Sequence, residues 1–288
     1  GLAAIDIKPG DEVITQSFTF VATVEAIIES RATPVVCEID KTLNMDPEDL
    51  ERKITNKTKA IIVVHFVGLP ANMEIISKIA KANSLFIIED CAGALGAKYD
   101  KQIVGTFSDA GCFSFYPTKH ITTMEGGMLI TKSKNFAKKI RKLSSFGYNK
   151  SLQERNIPGI YDIDLLGHNL RMNEVAAAIG IEQLKKLPNF LKSRKNYALI
   201  IKSKLQGNRG FSILPSNSSK AESSDFCVNV ILDRKYVKFR NSLLLKLKEM
   251  NLGTSVHYPV CLPDSKFYKS KMKKLNKKPL KFPVARYF

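Results

Sequence analysis

Two apolar segments of this chain run directly into residues that do chemistry. One is Phe86-Ile87-Ile88-Glu89-Asp90, a strand-like run that ends in paired acids. The other is Cys112-Phe113-Ser114-Phe115-Tyr116-Pro117-Thr118-Lys119, an aromatic stretch that closes on a lysine and is followed by Glu125-Gly126-Gly127. An ammonium at the end of an apolar segment is costly unless it is paired, neutral or covalently used. Partial desolvation lowers the pKa of such an amine and makes it a nucleophile toward aldehydes. A carboxylate on one strand end and a lysine 29 residues later on another suit pyridoxal phosphate. The lysine would carry the aldehyde as a Schiff base, and the acid would keep the pyridine nitrogen protonated so that the ring draws electrons from the substrate carbon. The same residues also permit a plainer arrangement, in which Asp90 caps a helix and Lys119 extends its amine into solvent.

The elements that must position these residues alternate along the first half of the chain. Residues 12–15, 34–37, 60–64 and 85–88 read as buried strands, and 21–29, 47–53 and 73–82 carry helical spacing between them. Asp46-Pro47 supplies an N-cap and a proline at the first helical position. Two later runs, 111–116 and 128–131, bring the strands to at least six. Apolar strands alternating with helices predict an α/β fold with a mostly parallel central sheet and helices on both faces. Ligands of such sheets gather at the carboxyl ends of the strands, where Asp90 and Lys119 fall. A basic helix follows over 134–146, then a long helical stretch over 173–205 that Pro188 is expected to kink or split. Residues 206–224, rich in Gly, Ser, Asn and Pro, read as a linker between a large domain, 1–205, and a smaller α+β domain, 225–288. In the smaller domain, 226–232 and 254–258 read as strands and 238–250 as a helix.

Composition excludes several classes. With 288 residues, 44% hydrophobic and 25% charged, the chain is globular, neither disordered nor fibrous. It has no apolar run near the roughly 18 residues needed to span a bilayer and no signal-peptide pattern at its start. Its net charge of +18 is uneven. Residues 1–132 hold 13 basic and 17 acidic side chains, a formal −4, whereas residues 133–288 hold 32 basic and 10 acidic, a formal +22. That asymmetry, concentrated further in Lys266–Lys281, fits either a phosphate-bearing partner or a solvated lysine-rich surface. A nucleic-acid motif or regular aromatic interleaving is missing, so nucleic acid is not the expected partner. Five cysteines, an odd number without CxxC spacing, point to a reducing cytoplasmic compartment and to no metal site, and His65, His120, His168 and His257 are too scattered to change that.

Seven ordered motifs resemble the sugar-nucleotide aminotransferases of the DegT/DnrJ group, fold-type I pyridoxal-phosphate enzymes. They are Gly10-Asp11-Glu12-Val13-Ile14, Ser17-Phe18-Thr19-Phe20-Val21-Ala22-Thr23, Ile88-Glu89-Asp90-Cys91-Ala92, Ser114 to Lys119, Glu125-Gly126-Gly127, Gly167-His168-Asn169-Leu170-Arg171-Met172 and Thr254-Ser255-Val256-His257-Tyr258. The resemblance implies transfer of an amino group, with glutamate as donor, to a nucleotide-linked keto-sugar. It implies that Lys119 bonds the cofactor and shuttles the proton, and that Asp90 pairs with the pyridinium nitrogen. Phe20 would stack on the cofactor ring, or simply pack in the core. Ser114 would reach the phosphate, or be a plain strand serine. Asn169 would reach the phosphate of a neighbouring subunit, making each site the product of a homodimer, or be a turn residue beside Gly167. His257 and Tyr258 would approach the substrate, or pack within the small domain. No membrane partner is implied.

Three departures stand out. Gly93 occupies a position where the family usually has Gln or His near the cofactor ring. Met124 replaces a common Gly, and Leu69 and Asn72 stand where Gln and Asp are frequent. The Ser-Gly-Thr turn that would precede Gly1 and the family's final C-terminal segment are not in the sequence, so the chain reads as a fragment lacking both termini. Two other functions remain open on the residues: a non-catalytic or regulatory relative that binds a polyanion through the basic half, and a pyridoxal-phosphate-dependent sugar dehydratase or deaminase. Lys119 weighs against the dehydratase, since some such relatives carry histidine in its place.

Overall fold

Every residue of β1 (Glu12–Gln16) is buried, because this strand is flanked by two others and covered on both sides. Its parallel neighbours are β2 (Thr33–Cys37) and β3 (Thr58–Val64), and β3 pairs in turn with β4 (Phe86–Asp90). A short hairpin, β5 (Lys98–Tyr99) and β6 (Gln102–Ile103), precedes β7 (Ala110–Ser114), which lies parallel to β4, and β8 (Gly127–Ile130), which returns antiparallel. The computed structural model describes residues 1–215, 217–274 and 282–286, and its central sheet has the order β2-β1-β3-β4-β7-β8.

Alternation along the strands divides the core into two layers. Val13, Ala60, Ile62 and Ile88 face Leu2, Ala32 and Ile27, the last on α1 (Val21–Glu29). Ile14, Ile61, Val63 and Ile87 face Leu50 of α2 (Pro47–Lys53) and Met73, Ile76 and Ile79 of α3 (Met73–Ala82). Each such side chain contributes about 1.5–3 kcal/mol on burial, so the sheet is a rigid support for its loops. The expected cap is formed: Asp46 accepts from the Glu48 amide at 2.9 Å, with Pro47 at the first helical position. Asn72, Ser133 and Asn173 cap α3, α4 (Lys134–Leu143) and α5 (Glu174–Leu205) in the same way.

A third cluster closes the carboxyl ends of the sheet. Phe18 and Phe66 leave β1 and β3 there and meet Leu214, Leu262, Tyr268 and Phe282 from the second half. The Glu38 carboxylate fixes the turn at residues 282–286 by accepting from the Val284 and Ala285 amides, both at 3.0 Å.

Three expectations need correction. Pro188 does not split the long helix, because α5 runs unbroken from Glu174 to Leu205. One missing amide donor removes a single rung from a 32-residue ladder, and the turns on either side continue. The strand expected at 226–232 is only β11 (Val230–Leu232), paired with β9 (Phe211–Ile213). Ser224 and Phe226 spend backbone groups on Gly68, His120 and Arg194 instead. Residues 254–258 are not a strand; Tyr258 packs its ring among Phe18, Phe20 and Phe66 rather than joining a ladder. The stretch 206–224 holds two strands, β9 and β10 (Ala221–Glu222), and β10 pairs with β5. Between β11 and residue 252 lies α6 (Arg240–Glu249), and α7 (Lys266–Lys274) follows residue 264.

Among the described residues no helix is long and apolar enough to cross a membrane. Part of the basic excess is locally paired, Lys139 with Asp6 and Lys142 with Asp164. Residues 275–281 of the lysine-rich stretch lie outside the described residues.

Candidate active site

Asp90 ends β4 with its carboxylate held by two donors. The Thr23 hydroxyl, on the first turn of α1, donates to Oδ2 at 2.8 Å, and the Ala92 amide donates to Oδ1 at 3.0 Å. Turns, not a helix, follow Asp90, so it is not a helix cap. Its own carbonyl accepts from the His65 amide at 3.1 Å, which ties the end of β4 to the end of β3.

Beneath it, Glu89 is fully buried and saturated. It accepts from the amides of Gly105 (2.6 Å), Phe107 (2.9 Å) and Ser108 (3.1 Å) and from the Ser108 hydroxyl (2.7 Å). His65 Nε2 lies 3.0 Å away, while His65 Nδ1 accepts from the Ala71 amide at 3.1 Å, so Nε2–H is the donor to Glu89. Burial pushes the Glu89 carboxyl up, but His65, the Gly105 amide and Ser108 hold it below its ordinary 4.5. Cys91 lies close enough to His65 and Glu89 to resemble a ligand set, yet the lone pairs of both are already engaged. A depressed carboxyl stabilises the fold above its unfolded pKa and loses that contribution as pH falls through the folded value. Glu89→Gln is expected to lower unfolding free energy by about 3–5 kcal/mol at pH 7, the scale for breaking a buried charged network. Urea titrations at pH 7 and pH 4 check this: the gap from the unsubstituted protein narrows at the lower pH.

Lys119 lies on the turn after β7, its amide donating to the Tyr116 carbonyl at 2.9 Å. It is partly buried, its amine stands 5.1 Å from the centre of the Phe226 ring, and it has no ion pair among the described residues. It does not snorkel to open solvent. Burial lowers its pKa from 10.5, and the charges of Asp90 and Cys227 oppose that. Tyr258 belongs to the same electrostatic neighbourhood: burial raises its phenol, and Asp90 adds to the effect. Burial lowers the His257 pKa, and the Lys119 charge lowers it further. Phe20 is 58% exposed, with its ring 6.1 Å from that of Tyr258, so much of this aromatic ring is open. Core packing does not account for it.

Ser114 pairs with Gly127 at the mouth of β7 and β8, and its Oγ accepts from the Tyr116 amide at 3.4 Å, leaving the hydroxyl proton to donate elsewhere. Asn169 is not gathered with the others. It is exposed, bridges to Ser145, and accepts from Arg171 Nε at 3.0 Å. Thr23, Phe226 and Cys227 join the site without having been singled out from sequence for it. Thr23 stands three residues after Phe20, one helical turn on, which is the signal that could have found it. An acid held by two donors, an unpaired amine and an exposed aromatic face fit a flat, anionic heteroaromatic aldehyde such as pyridoxal phosphate.

The family described as the DegT/DnrJ/EryC1/StrS aminotransferase family matches residues 1–287. This chain belongs to that family. GDP-perosamine synthase of Escherichia coli O157:H7 is 42% identical over 205 residues, covering 71% of this chain and 54% of that protein. Among solved structures, Helicobacter pylori PseC, an aminotransferase of pseudaminic acid biosynthesis, is 30% identical with a TM-score of 0.89, over 99% of this chain and 76% of that one. Spr1654 of Streptococcus pneumoniae, in its PMP form, is 28% identical with a TM-score of 0.87, over 95% of this chain and 75% of that one. The architecture is that of the fold-type I pyridoxal-phosphate-dependent aminotransferases.

Within this DegT/DnrJ/EryC1/StrS member the departures have local explanations. Leu69 is buried in the core, and Asn72 both caps α3 and accepts from the Tyr99 hydroxyl at 2.9 Å. Met124 is 70% exposed at a positive φ of 68°, a conformation that costs a side chain more than it costs glycine.

Proposed function

We propose that this chain transfers an amino group from glutamate to a keto-sugar linked to a nucleotide, using pyridoxal phosphate. The observation that carries this is the pairing of a hydrogen-bonded carboxylate, Asp90, with a partly buried, unpaired amine, Lys119, at the carboxyl end of one sheet. The names of GDP-perosamine synthase and PseC support a sugar acceptor. When bound, pyridoxal phosphate supplies a carbonyl carbon for amine exchange and a ring that stabilises negative charge at the substrate carbon.

The residues divide the remaining work. Asp90 would hold a proton at the ring nitrogen, with Thr23 and Ala92 keeping its carboxylate aimed. Lys119 Nζ would condense with the carbonyl with loss of water and, once displaced by the incoming amine, would serve as the base and acid that moves a proton. Phe20 would offer its exposed ring to the cofactor. Ser114 Oγ would be the donor to the phosphate. His257 and Tyr258 line the substrate side. Asn169 serves the neighbouring protomer of a homodimer; it lies among Ile163, Leu166 and Leu170, which are 59%, 88% and 72% exposed and would be covered by a second copy. Five free thiols accord with a cytoplasmic enzyme.

Incubation with pyridoxal phosphate, glutamate and a nucleotide-linked keto-sugar tests the reading. We expect equimolar 2-oxoglutarate and an amino-sugar nucleotide by mass spectrometry. A sugar that loses its hydroxyl with no net gain of nitrogen would establish the dehydratase alternative instead.

A further inference from the structure

Gly93 leaves room beside the Lys119 amine, and an aromatic ring from a distant part of the chain fills it. A Cβ built on Gly93 would touch Phe226 Cδ1 at 3.6 Å and Cγ at 3.7 Å. The same ring lies 5.1 Å from Lys119 Nζ and 5.6 Å from the His120 ring. The Phe226 ring therefore borders both position 93 and the reactive amine.

Its placement is fixed by the backbone on either side of it. The Ser224 amide donates to the Gly68 carbonyl at 3.1 Å, and the Ser224 hydroxyl donates to the Gly93 carbonyl at 3.1 Å. His120 Nε2 lies 3.2 Å from the Ser224 carbonyl, and Arg194 Nη1 donates to the Phe226 carbonyl at 3.0 Å. His120 is buried and its pKa is pushed down to about 4, so at neutral pH it makes this bond as an uncharged ring. Gly68 permits the approach: its φ is +93°, and a Cβ there would collide with Ser224 Oγ and the Gly93 carbonyl. Four hydrogen bonds thus hold two residues of the second half, Ser224 and Phe226, against the site.

We propose that Phe226 is a positioning residue for Lys119, its ring occupying the space that a side chain at position 93 would hold and keeping the amine against its face. The inference rests on the reading of Lys119 as the carbonyl-reactive amine. An ammonium over an aromatic face is stabilised, whereas the ring's apolar bulk disfavours charge. Replacing the ring by an aliphatic side chain keeps the bulk and removes the attraction. The amine then loses its proton more readily and is less well aimed.

The test follows absorbance on mixing the full chain with pyridoxal phosphate from pH 6 to pH 11. We expect Phe226→Leu to lower the midpoint of lysine reaction by about half a pH unit, the cation–π contribution expressed as a pKa shift. Phe226→Tyr should keep the original midpoint. Gly93→Ala should also be silent, since its contact is an ordinary one, while Gly93→Gln should push the ring aside and reproduce the Phe226→Leu shift. An unchanged midpoint in both Phe226→Leu and Gly93→Gln overturns the proposal. Should Phe226→Leu fail to fold by circular dichroism, Gly93→Gln compared with Phe226→Tyr decides alone. Lys119→Ala is the separate control: if it gives the absorbance change of the unsubstituted protein, the parent reading falls, whatever Phe226 does.

Discussion

Lys119→Ala is expected to lower kcat for amino transfer by roughly 10^2–10^4-fold, the range set by loss of a positioned proton-transfer group. In the proposed function the amine would have two tasks that alanine cannot share: reacting with a carbonyl and moving a proton between two carbons. Its surroundings are arranged for both. It sits partly buried, without an ion pair, on a turn anchored by its own amide to Tyr116. Burial favours the neutral, nucleophilic form, so reaction with pyridoxal phosphate should rise with pH through a midpoint below the 10.5 of an ordinary lysine. The nearby Asp90 charge keeps that depression moderate. Stopped-flow absorbance and product analysis with glutamate measure the two tasks separately. Turnover within tenfold of the unsubstituted chain would overturn the assignment.

Asp90→Asn is expected to lower kcat by roughly 10^2–10^3-fold, the cost of losing one preorganised electrostatic partner. The substitution is nearly isosteric. The amide oxygen can still accept from the Ala92 amide, and the Thr23 hydroxyl can turn to accept from the new NH2 group. The fold should survive, with a thermal midpoint close to that of the unsubstituted protein. What disappears is the negative charge that would hold a proton on the ring nitrogen. The same charge raises the Lys119 pKa, so its loss should also move the pH midpoint of the lysine reaction further down. A large loss of turnover with retained stability and a downward midpoint separates this electrostatic role from a structural one. A collapse in stability alone would contradict it.

Much of the site could be read without coordinates because it is built from strand ends. Asp90 closes an apolar strand and Lys119 follows another, and the alternation of strands with helices already placed both at one edge of a parallel sheet. The six strands and the cap at Asp46 are local in origin, set by runs of apolar residues and by a side chain that accepts from the amide two residues on. The long helix shows the limit of a local rule: proline removes one donor, and the hydrogen-bonded turns on either side of Pro188 continue the helix.

Contacts made across long stretches of chain were not legible. Residues 226–228 are apolar, yet Ser224 and Phe226 are drawn to Gly68, Gly93, His120 and Arg194, none of them near in sequence. Thr254 to Tyr258 has the composition of a strand, but no ladder awaits it, and Tyr258 finds three aromatic rings instead.

The sequence by itself therefore determined which residue types stand at the strand ends, because periodicity and spacing are properties of neighbours along the chain, and the resemblance of its seven motifs carried the aminotransferase reading. Only the tertiary structure decided what surrounds the amine. Gly93 in sequence is an absence; in the fold it lies against the ring of Phe226, 133 residues away along the chain, which also stands 5.1 Å from the amine, a contact that chain neighbours cannot specify.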